Sequence, residues 1–510
     1  MDFLRFVVII LVFFRVDICS SCDRDTFGTH FIFGMTGEYI PISEENVHLH
    51  IAAMSQLQAN VLVKAPFLSL NRTYTVSNFT IITLNGSLIH YKDGKQTKGI
   101  EVSSDVDISL TVVTGISADY FEGYLVLPTN ALGTKYITAS YRPVYPFDSE
   151  FLVAAVESDT DVVLNISLNG HMRDSRVFRL QKFETYQYKS RSDVTGSLVT
   201  SNKPVAVIAG AALVNIPPRV GDTQSLAEQM IPIEYWTTKY IVPPIYPRKH
   251  FVVKFFAAHD GTTVQYYSRL GHHILRLNKW KVIEKSFGSD PITVIANKPI
   301  SVIEYGHDGD NMAGDPFMMT VQGLSQFVNS YRFVTQSFYN VGSSTLAITI
   351  SKAHANEIVI NGRSVNNYNA TNISVANPLG QYVTMFVNVS SNSSYHVSHS
   401  GGVKFGALLY ARPGIAAAYG LPLRLTLSST ENCTIPVTTT TSPTPSTTST
   451  QVSTSTVYTS TPLSTTSATV NVIWCFQCDN ITNLKSCDKF DDVKIKMRCA
   501  MSNVLPAQLE

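Results

Sequence analysis

The chain is short of charge, and cysteine is missing from most of its length. Charged residues make up 15% of its 510 residues, and Lys plus Arg exceed Asp plus Glu by only 39 − 38 = 1. No basic surface for nucleic acid or anionic lipid is therefore expected. All seven cysteines lie outside residues 23–432. Because so long a chain exceeds a single hydrophobic core, we expect several packed units.

Apolar runs long enough to span a bilayer are also missing. Residues 6–14 are nine apolar residues behind Arg5, whereas a membrane helix needs about 20. This pattern, with small residues before Cys22, predicts a signal peptide at residues 1–21. The later apolar stretch 405–423 is interrupted by charge, proline and glycine, so no direct membrane span is expected. The chain is predicted to be secreted and extracellular, and tethering to a cell surface is left open.

The cysteines at the edges of the chain fit an oxidising compartment. If Cys19 leaves with the signal peptide, an even number remains: Cys22, Cys433, Cys475, Cys478, Cys487 and Cys499. We predict that Cys22 and Cys433 pair and join the two ends of the body, with pairing to other chains as the alternative. The Cys-x2-Cys spacing of Cys475 and Cys478 is interpreted as disulfide chemistry because no histidine lies nearby.

Ten N-x-S/T sequons favour the same compartment, since N-glycans are added only to exported chains. They lie in turn-like polar stretches, where glycans would stand on the surface. The predicted acceptors are Asn71, Asn78, Asn85, Asn165, Asn369, Asn372, Asn388, Asn392, Asn432 and Asn480.

The body, residues 22–433, is predicted to be all-β. Short runs of β-branched and aromatic residues alternate with turn residues, and convincing helical periodicity is absent. A single short helix is considered at residues 225–230, capped by Glu228 and Gln229, with Trp236 filling a gap between repeats. His272-His273 lacks a third metal ligand and is interpreted as a surface turn.

Three patterns recur in the same order about a hundred residues apart. They are Lys-Tyr-Ile at 135–137 and 239–241, a polar hairpin turn at 158–161 and 259–262, and Asn-Lys-Pro at 202–204 and 297–299. Weaker copies lie near residues 331–408 and 30–113. Units of this size with about seven strands match β-sandwiches, and a propeller is the alternative. The approximate units are 28–115, 116–215, 216–310 and 311–420.

The composition changes after Cys433. Ser and Thr supply 23 of the 33 residues at 438–470, so residues 434–472 are predicted to be a disordered, mucin-like O-glycosylated linker or stalk. An unglycosylated flexible linker is the alternative. The Cys-rich segment 473–510 opens like a three-finger, Ly-6-like module and ends before the further cysteines of that family, so it is interpreted either as an incomplete module or as a different one.

Four motifs carry a resemblance to a known family. They are Asn202-Lys-Pro-Val-Ala-Val-Ile-Ala-Gly, Leu226-Ala-Glu-Gln-Met-Ile-Pro followed by Trp236, His259-Asp-Gly-Thr-Thr-Val, and Gly314-Asp-Pro-Phe-Met. In this order, over about 400 residues, the chain resembles the N-terminal domain of the IgGFc-binding protein family, named for a mucus glycoprotein. The resemblance implies a secreted protein that binds other extracellular molecules.

No pattern of an enzyme is found. A nucleophile elbow, a P-loop and a dinucleotide fingerprint are all missing, so we expect no catalysis, cofactor or metal. A weak calcium candidate is Asp308, Asp310 and Asp315, because two of them have alternating spacing but the twelfth-position Glu is missing. We expect a binding or structural glycoprotein of mucus, cuticle or another surface coat, with extracellular proteins or glycans as partners and an unknown oligomer state. A tethered receptor or adhesion protein is the alternative.

Overall fold

A computed structural model describes residues 23–37, 46–54, 58–117, 120–307, 314–335, 343–375, 378–411 and 418–428. These residues belong to one compact unit, residues 21–434. The regular structure is nearly all strand, which confirms the predicted all-β class. The predicted signal peptide, the predicted stalk and the C-terminal cysteines lie outside the described residues. Within those residues no helix is long and apolar enough to cross a membrane.

The strands fall into units that share one plan, preceded by the short strand β1 (Asp23–Asp25). Unit 1 contains β2 (Gly28–Phe33), β3 (Met35–Thr36), β4 (Asn46–Ala53), β5 (Ala59–Ala65), β6 (Leu70–Val76), β7 (Phe79–Asn85), β8 (Ile89–His90), β9 (Gly94–Gln96), β10 (Ile100–Ser117) and β11 (Tyr120–Leu125). Unit 2 contains β12 (Gly133–Ile137), β13 (Ser149–Ala155), β14 (Thr160–Leu168), β15 (His171–Leu180), β16 (Thr185–Ser190), β17 (Leu198–Val214) and β18 (Gln224–Gln229).

The second half of the body repeats this order. Unit 3 contains β19 (Thr237–Val242), β20 (Phe251–Ala257), β21 (Thr262–Ser268), β22 (Gly271–Leu277), β23 (Val282–Phe287), β24 (Ile292–Gly306) and β25 (Met318–Thr320). Unit 4 contains β26 (Ser330–Val334), β27 (Ser343–Ser351), β28 (Ile358–Ile360), β29 (Arg363–Ser364), β30 (Thr371–Ser374), β31 (Tyr382–Ser390), β32 (Ser394–His399), β33 (Gly406–Ala411) and β34 (Gly420–Pro422), and β35 (Thr426–Ser428) follows it.

The helical elements among the described residues are short 3-10 turns. They are Pro66–Leu68, Gly86–Leu88, Thr129–Ala131, Ile233–Tyr235, Leu324–Gln326, Lys352–Glu357 and Val365–Asn367. The third, fourth and fifth each lie in the segment that joins one unit to the next.

One long strand organises each of the first three units. The first half of β17 pairs with β12 and with β14 of the β14–β15 hairpin, and its second half pairs with β13 and β18. In unit 1 the first half of β10 pairs with β2 and β5, and its second half pairs with β4 and β11. In unit 3 the first half of β24 pairs with β19 and β21, and its second half pairs with β20 and β25. Each sheet therefore curls into two four-stranded layers that share a bent strand, which is a seven-stranded sandwich. In unit 4 the long strand is divided into β32 and β33.

Alternation of apolar and polar residues places the core inside each curled sheet. In β14, Thr160, Val162, Leu164 and Ile166 are buried while the intervening residues are partly exposed. The second half of β17, by contrast, is buried at every position. A strand covered on both faces loses the alternation and becomes a continuous apolar run.

The bend in the long strand is fixed by one side chain in each of units 1 to 3. The side-chain oxygens of Asn202 and Asn297 accept the backbone N–H of Asp161 and Thr263, at 2.8 and 2.7 Å. Asp105 does the same in unit 1. The Asn-Lys-Pro motif is thus a corner inside one strand, which ties the long strand to the start of the neighbouring hairpin.

Replacing Asn202 or Asn297 with alanine is expected to destabilise the body by about 1 kcal/mol each, because a backbone N–H loses its acceptor. The corners lie in different units, so the two losses should add in the double variant. Urea unfolding of the secreted chain measures both. Asn366→Ala is the control, since that exposed side chain bonds none of the described residues. Losses no larger than the control's would contradict the assigned corner role.

The last strands of the four units meet around a common axis. β11 packs beside β18, β18 beside β25, β25 beside β34, and β34 returns to β11. The units are sandwiches, as predicted, and they are arranged in a closed ring as the blades of a propeller are. The sandwich prediction thus describes each unit, and the propeller alternative describes how the units are arranged.

The two ends of the body close this ring. β1 pairs antiparallel with β35, and the Arg424 guanidinium donates to the Asp25 carboxylate at 2.6–3.0 Å. Cys22 and Cys433 lie outside the described residues, so their disulfide stays a prediction. Asp23 and Ser428, the described residues nearest to them in the sequence, pair with each other.

The predicted helix at residues 225–230 is wrong. Residues 225–229 lie in β18, and Gly210 and Ala211 of β17 pair with Ala227 and Leu226. Leu, Ala, Glu, Gln and Met favour helix locally, but pairing with a buried strand outweighs that preference. Glu228 and Gln229 are consequently buried strand residues and cap no helix.

Candidate binding site

The structure separates most of the residues singled out from the sequence. Asp308 and Asp310 lie outside the described residues, whereas Asp315 is buried and its backbone carbonyl accepts a hydrogen bond from Arg248 at 2.7 Å. The calcium site therefore stays a prediction. Among the described sequons every asparagine is exposed except the half-buried Asn165; the exposed ones are Asn71, Asn78, Asn85, Asn369, Asn372, Asn388 and Asn392.

Trp236 and the His272-His273 pair were also singled out from the sequence. Trp236 is buried in the segment between units 2 and 3, and its Nε1–H donates to the Ile231 carbonyl at 3.1 Å. His272 and His273 are exposed at the surface, as expected, but they lie in strand β22, so the turn assigned to them is wrong. Each stacks on a tyrosine of β21, Tyr267 and Tyr266 respectively. Their role is cross-strand packing.

His354, Glu357 and His399 meet where the long strand of unit 4 is divided. Nδ1 of His354 and Nε2 of His399 lie 3.4 and 3.6 Å from the Glu357 carboxylate, a spacing that could hold a metal ion. Nδ1 of His399 accepts the backbone N–H groups of Gly401 and Val403, so the neutral ring carries its proton on Nε2. Metal-bound histidine instead donates from its second nitrogen. We assign the group to a histidine–carboxylate pair that closes the corner.

Buried glutamates at the ring centre were not recognised from the sequence as ionisable groups of interest. Glu228 of β18 is buried where β18 packs beside β25, and burial raises its pKa to about 8 against the opposing influence of Thr320. Burial also raises the pKa of Glu304 well above its usual range. Gln229 beside them accepts the backbone N–H of Leu127 at 3.1 Å. At neutral pH Glu228 and Glu304 are therefore largely uncharged, and the contacts of Glu228 and Gln229 link units 1, 2 and 3.

The contact between units 1 and 2, which we call the 1–2 seam, depends on a charged carboxylate. The Glu101 carboxylate receives Lys182 at 2.6 Å, His30 at 2.8 Å and Lys64 at 3.4 Å. Burial alone would raise the pKa of Glu101, but the hydrogen bonds from Lys182 and His30 and the nearby lysine charges lower it to about 2. This seam stays ionised over the physiological range.

An open cleft of about 430 Å³ lies between units 2 and 3. Unit 2 contributes the turn between β14 and β15 and residues near Asp193, and unit 3 contributes Lys254, Glu284 and residues 279–282. The volume is in the range of small-molecule sites. We refer to it as the 2–3 cleft.

The floor of the 2–3 cleft is built on a buried lysine. Lys254 Nζ donates to the Ser140 carbonyl at 2.8 Å and lies 3.6 Å from both Asp193 and Glu284. The ammonium also stands 4.4 Å from the centre of the Tyr141 ring. A buried charge needs such partners, so Lys254 holds the two units in register.

Trp280 on the wall of the cleft has a left-handed backbone, with φ of 66°. Phe183 at the corresponding turn of unit 2 has φ of 70°, and in both turns the preceding lysine lies over the ring. The Trp280 turn is held by Ala257, whose carbonyl accepts the Trp280 N–H at 2.8 Å. Because the conformation recurs, it belongs to the plan of the unit, and in unit 3 it presents Lys279, Trp280 and Lys281 to the cleft.

Exposed apolar side chains concentrate on the same two units. Among the described residues all but one of the large exposed apolar side chains lie in units 2 and 3: Tyr145, Met172, Val177, Val220, Leu270 and Ile274. Val177 on β15 is 75% exposed and Leu270 beside β22 is 92% exposed. The exception, Phe67 in unit 1, lies under the Lys98 ammonium. We call the exposed surface of β15 and β22 the bare face.

These features define a class of protein: an all-β chain of tandem sandwich units closed into a ring, with an open cleft between two of them. Comparison with known proteins then gives the family. The family described as IgGFc binding protein matches residues 122–411, more than half of the chain. The chain belongs to this family, as its motifs indicated.

Two single proteins are also similar. Human IgGFc-binding protein (Homo sapiens) is 24% identical over 361 residues, which cover 68% of this chain. The chain matches only 6% of the length of that relative. A solved Ca2+-stabilised adhesin, with which an Antarctic bacterium binds ice, covers 78% of this chain and 98% of its own at 11% identity, with a TM-score of 0.11. That TM-score is too low to support an argument.

Proposed function

We propose that the chain is a secreted extracellular glycoprotein that binds other proteins or glycans through units 2 and 3. Its family is named for binding, and the printed name of its human relative describes an IgG Fc binder. Antibody binding is a property stated for that relative, of which this chain covers a small part. The site that we propose on this chain is the exposed surface of its units 2 and 3.

The distribution of sequons carries the proposal. Among the described residues, unit 1 has three of them, unit 4 has four, unit 2 has only Asn165, and unit 3 has none. Glycans on exposed asparagines would cover units 1 and 4 and leave unit 3 and most of unit 2 open. The exposed apolar side chains lie on those open units. Apolar surface that is left accessible to solvent is typical of interaction sites.

The wider setting follows from the same proposal. A glycosylated Ser/Thr-rich stalk at residues 434–472 would hold the body away from whatever carries residues 473–510. A body that presents exposed apolar side chains on units 2 and 3, held on such a stalk, suits mucus, cuticle or another surface coat. The binding role requires no reactive group, so the buried glutamates and lysine serve to assemble the ring.

Capture of partners from the native secretion tests the bare face. When immobilised, the Val177→Lys, Ile274→Lys double variant of the secreted chain is expected to capture at least about tenfold less material than the wild type. Two exposed apolar contact residues become charged in this variant. Thr75→Lys, on an exposed position of β6 in unit 1, is the matched control. Equal capture by the double variant and the wild type would contradict the proposal.

A further inference from the structure

We propose that the 2–3 cleft binds a sugar residue that carries a carboxylate. This inference rests on the proposed binding function and gives it a ligand class. The inner and outer charged groups of the cleft differ in how they are partnered.

The inner carboxylates are already committed to partners. Asp193 accepts the N–H and the hydroxyl of Thr195 at 2.9 and 2.6 Å, and Glu284 accepts the Tyr141 hydroxyl at 3.2 Å. Both also face the Lys254 ammonium at 3.6 Å. Two carboxylates share this one ammonium, so the inner group keeps a net charge of 1 − 2 = −1, and the two lysines at the rim of the cleft reverse that sign.

The cations at the rim are not balanced in this way. Lys279 and Lys281 have no ion-pair partner in the part of the chain that the structure describes, and His171 faces them from unit 2. The Lys279 ammonium rests 4.5 Å from the centre of the Trp280 ring, a weak contact that an anion can displace. The rim is thus complementary to one negative charge on the ligand.

The shape of the cleft favours a ring-shaped polar ligand over a simple ion. Its volume of about 430 Å³ has room for one or two sugar rings. Trp280 and Met172 provide apolar contacts, while the Ser167 hydroxyl and the backbone near Gly170 and Gly196 provide polar ones. A carboxylated sugar combines an apolar ring face, hydroxyls and one anionic group.

The backbone prepares this arrangement in advance. The left-handed turn at Trp280 is tied to Ala257 by two backbone hydrogen bonds, of 2.8 and 3.0 Å, so both rim lysines project from a fixed support. Lys254 fixes unit 2 against unit 3 beneath them. A site held by packed elements loses less entropy when a ligand binds.

Saturation-transfer NMR and calorimetry on the secreted full chain test the assignment, after enzymatic removal of N-glycans so that a glycan on Asn165 of β14 stays out of the cleft. The probes are glucuronic acid and N-acetylneuraminic acid, with glucose as the neutral sugar and acetate and acetyl-diglycine as acids without a sugar ring. We expect the acidic sugars to bind at least about tenfold more tightly than glucose and acetate. Lys281→Gln is expected to weaken that binding about tenfold, because one charged contact is lost.

Lys285→Gln is the matched control, since Lys285 lies on the same strand as Glu284, outside the cleft. It should change the affinity less than twofold. Equal binding of glucose and glucuronic acid would overturn the assignment, and so would binding of acetate or acetyl-diglycine as tight as that of the acidic sugars. An equal loss in Lys281→Gln and Lys285→Gln would also overturn it. None of these outcomes affects the bare face, whose test uses Val177 and Ile274.

Discussion

Gly210→Ala is expected to destabilise the body by at least about 4 kcal/mol or to prevent its secretion in folded form. A Cβ at position 210 would lie 1.6 Å from the backbone oxygen of Leu226 in the neighbouring strand. The obstacle is backbone, so no side-chain rotation relieves it. β18 would have to move away from β17.

The loss spreads because β18 lies at the ring centre. Moving it displaces Gln229 from the Leu127 N–H of unit 1 and Glu228 from Thr320 of unit 3. The Gly210 carbonyl also accepts the Ser140 hydroxyl, which anchors the loop that holds Lys254. One methyl group therefore disturbs the contacts between three units.

Urea unfolding and the yield of secreted folded chain measure this effect. Gly288→Ala is the control, because a Cβ there comes no closer than 3.9 Å to any neighbour. The control should remain within about 0.5 kcal/mol of the wild type. A Gly210→Ala chain as stable as the Gly288→Ala chain would contradict the close strand approach.

Glu228→Gln is expected to stabilise the chain at alkaline pH, by on the order of 4 kcal/mol above pH 8. The folded pKa of Glu228 is about 8, against 4.5 for an ordinary glutamate. Below pH 4.5 the carboxyl is protonated in the folded and the unfolded chain alike, and stability is complete. As the pH rises from 4.5 to 8 the unfolded chain releases the proton and the folded chain keeps it, so stability is lost.

The amide removes this dependence because it carries no charge at any pH. Burial raises the pKa of Glu150 to about 7 against the effect of Lys189. Glu150 therefore also reduces stability as the pH rises, by a smaller amount, and it is unchanged in the variant. Urea midpoints at several pH values from 5 to 9 give the difference between the two chains. Glu157→Gln, at an exposed position of unit 2, is the control and should leave the wild-type profile unchanged. A gap between variant and wild type that does not widen with pH would contradict the buried acid.

Two buried histidines lower the stability of the chain at acidic pH. Burial lowers the pKa of His50 to about 3 and that of His90 to about 4, so the folded chain keeps both rings neutral. The unfolded chain takes up protons as the pH falls below 6.5, and stability is lost from there down through the folded values. Stability should therefore be greatest in mildly acidic solution, between about pH 4.5 and 6.5, and Glu228→Gln should extend that range upward.

Local signals in the sequence determined the class and the repeated elements. The alternation in β14, the polar hairpin turns and the two Asn-Lys-Pro motifs depend on neighbouring residues alone, and they predicted all-β units of about a hundred residues. The sequons likewise predicted which asparagines would carry glycans, because an acceptor site is a local pattern.

Tertiary structure decided the rest because it depends on partners far away in the chain. Residues 225–230 favour helix locally, and only pairing with β17 makes them a strand. The Asn-Lys-Pro corners gave no sign that one strand continues through them, and nothing near Lys254 predicted that Asp193 and Glu284 would meet it from two units. Closure of the ring, the buried glutamates and the 2–3 cleft arise where separate units pack together, so they appear only once the chain has folded.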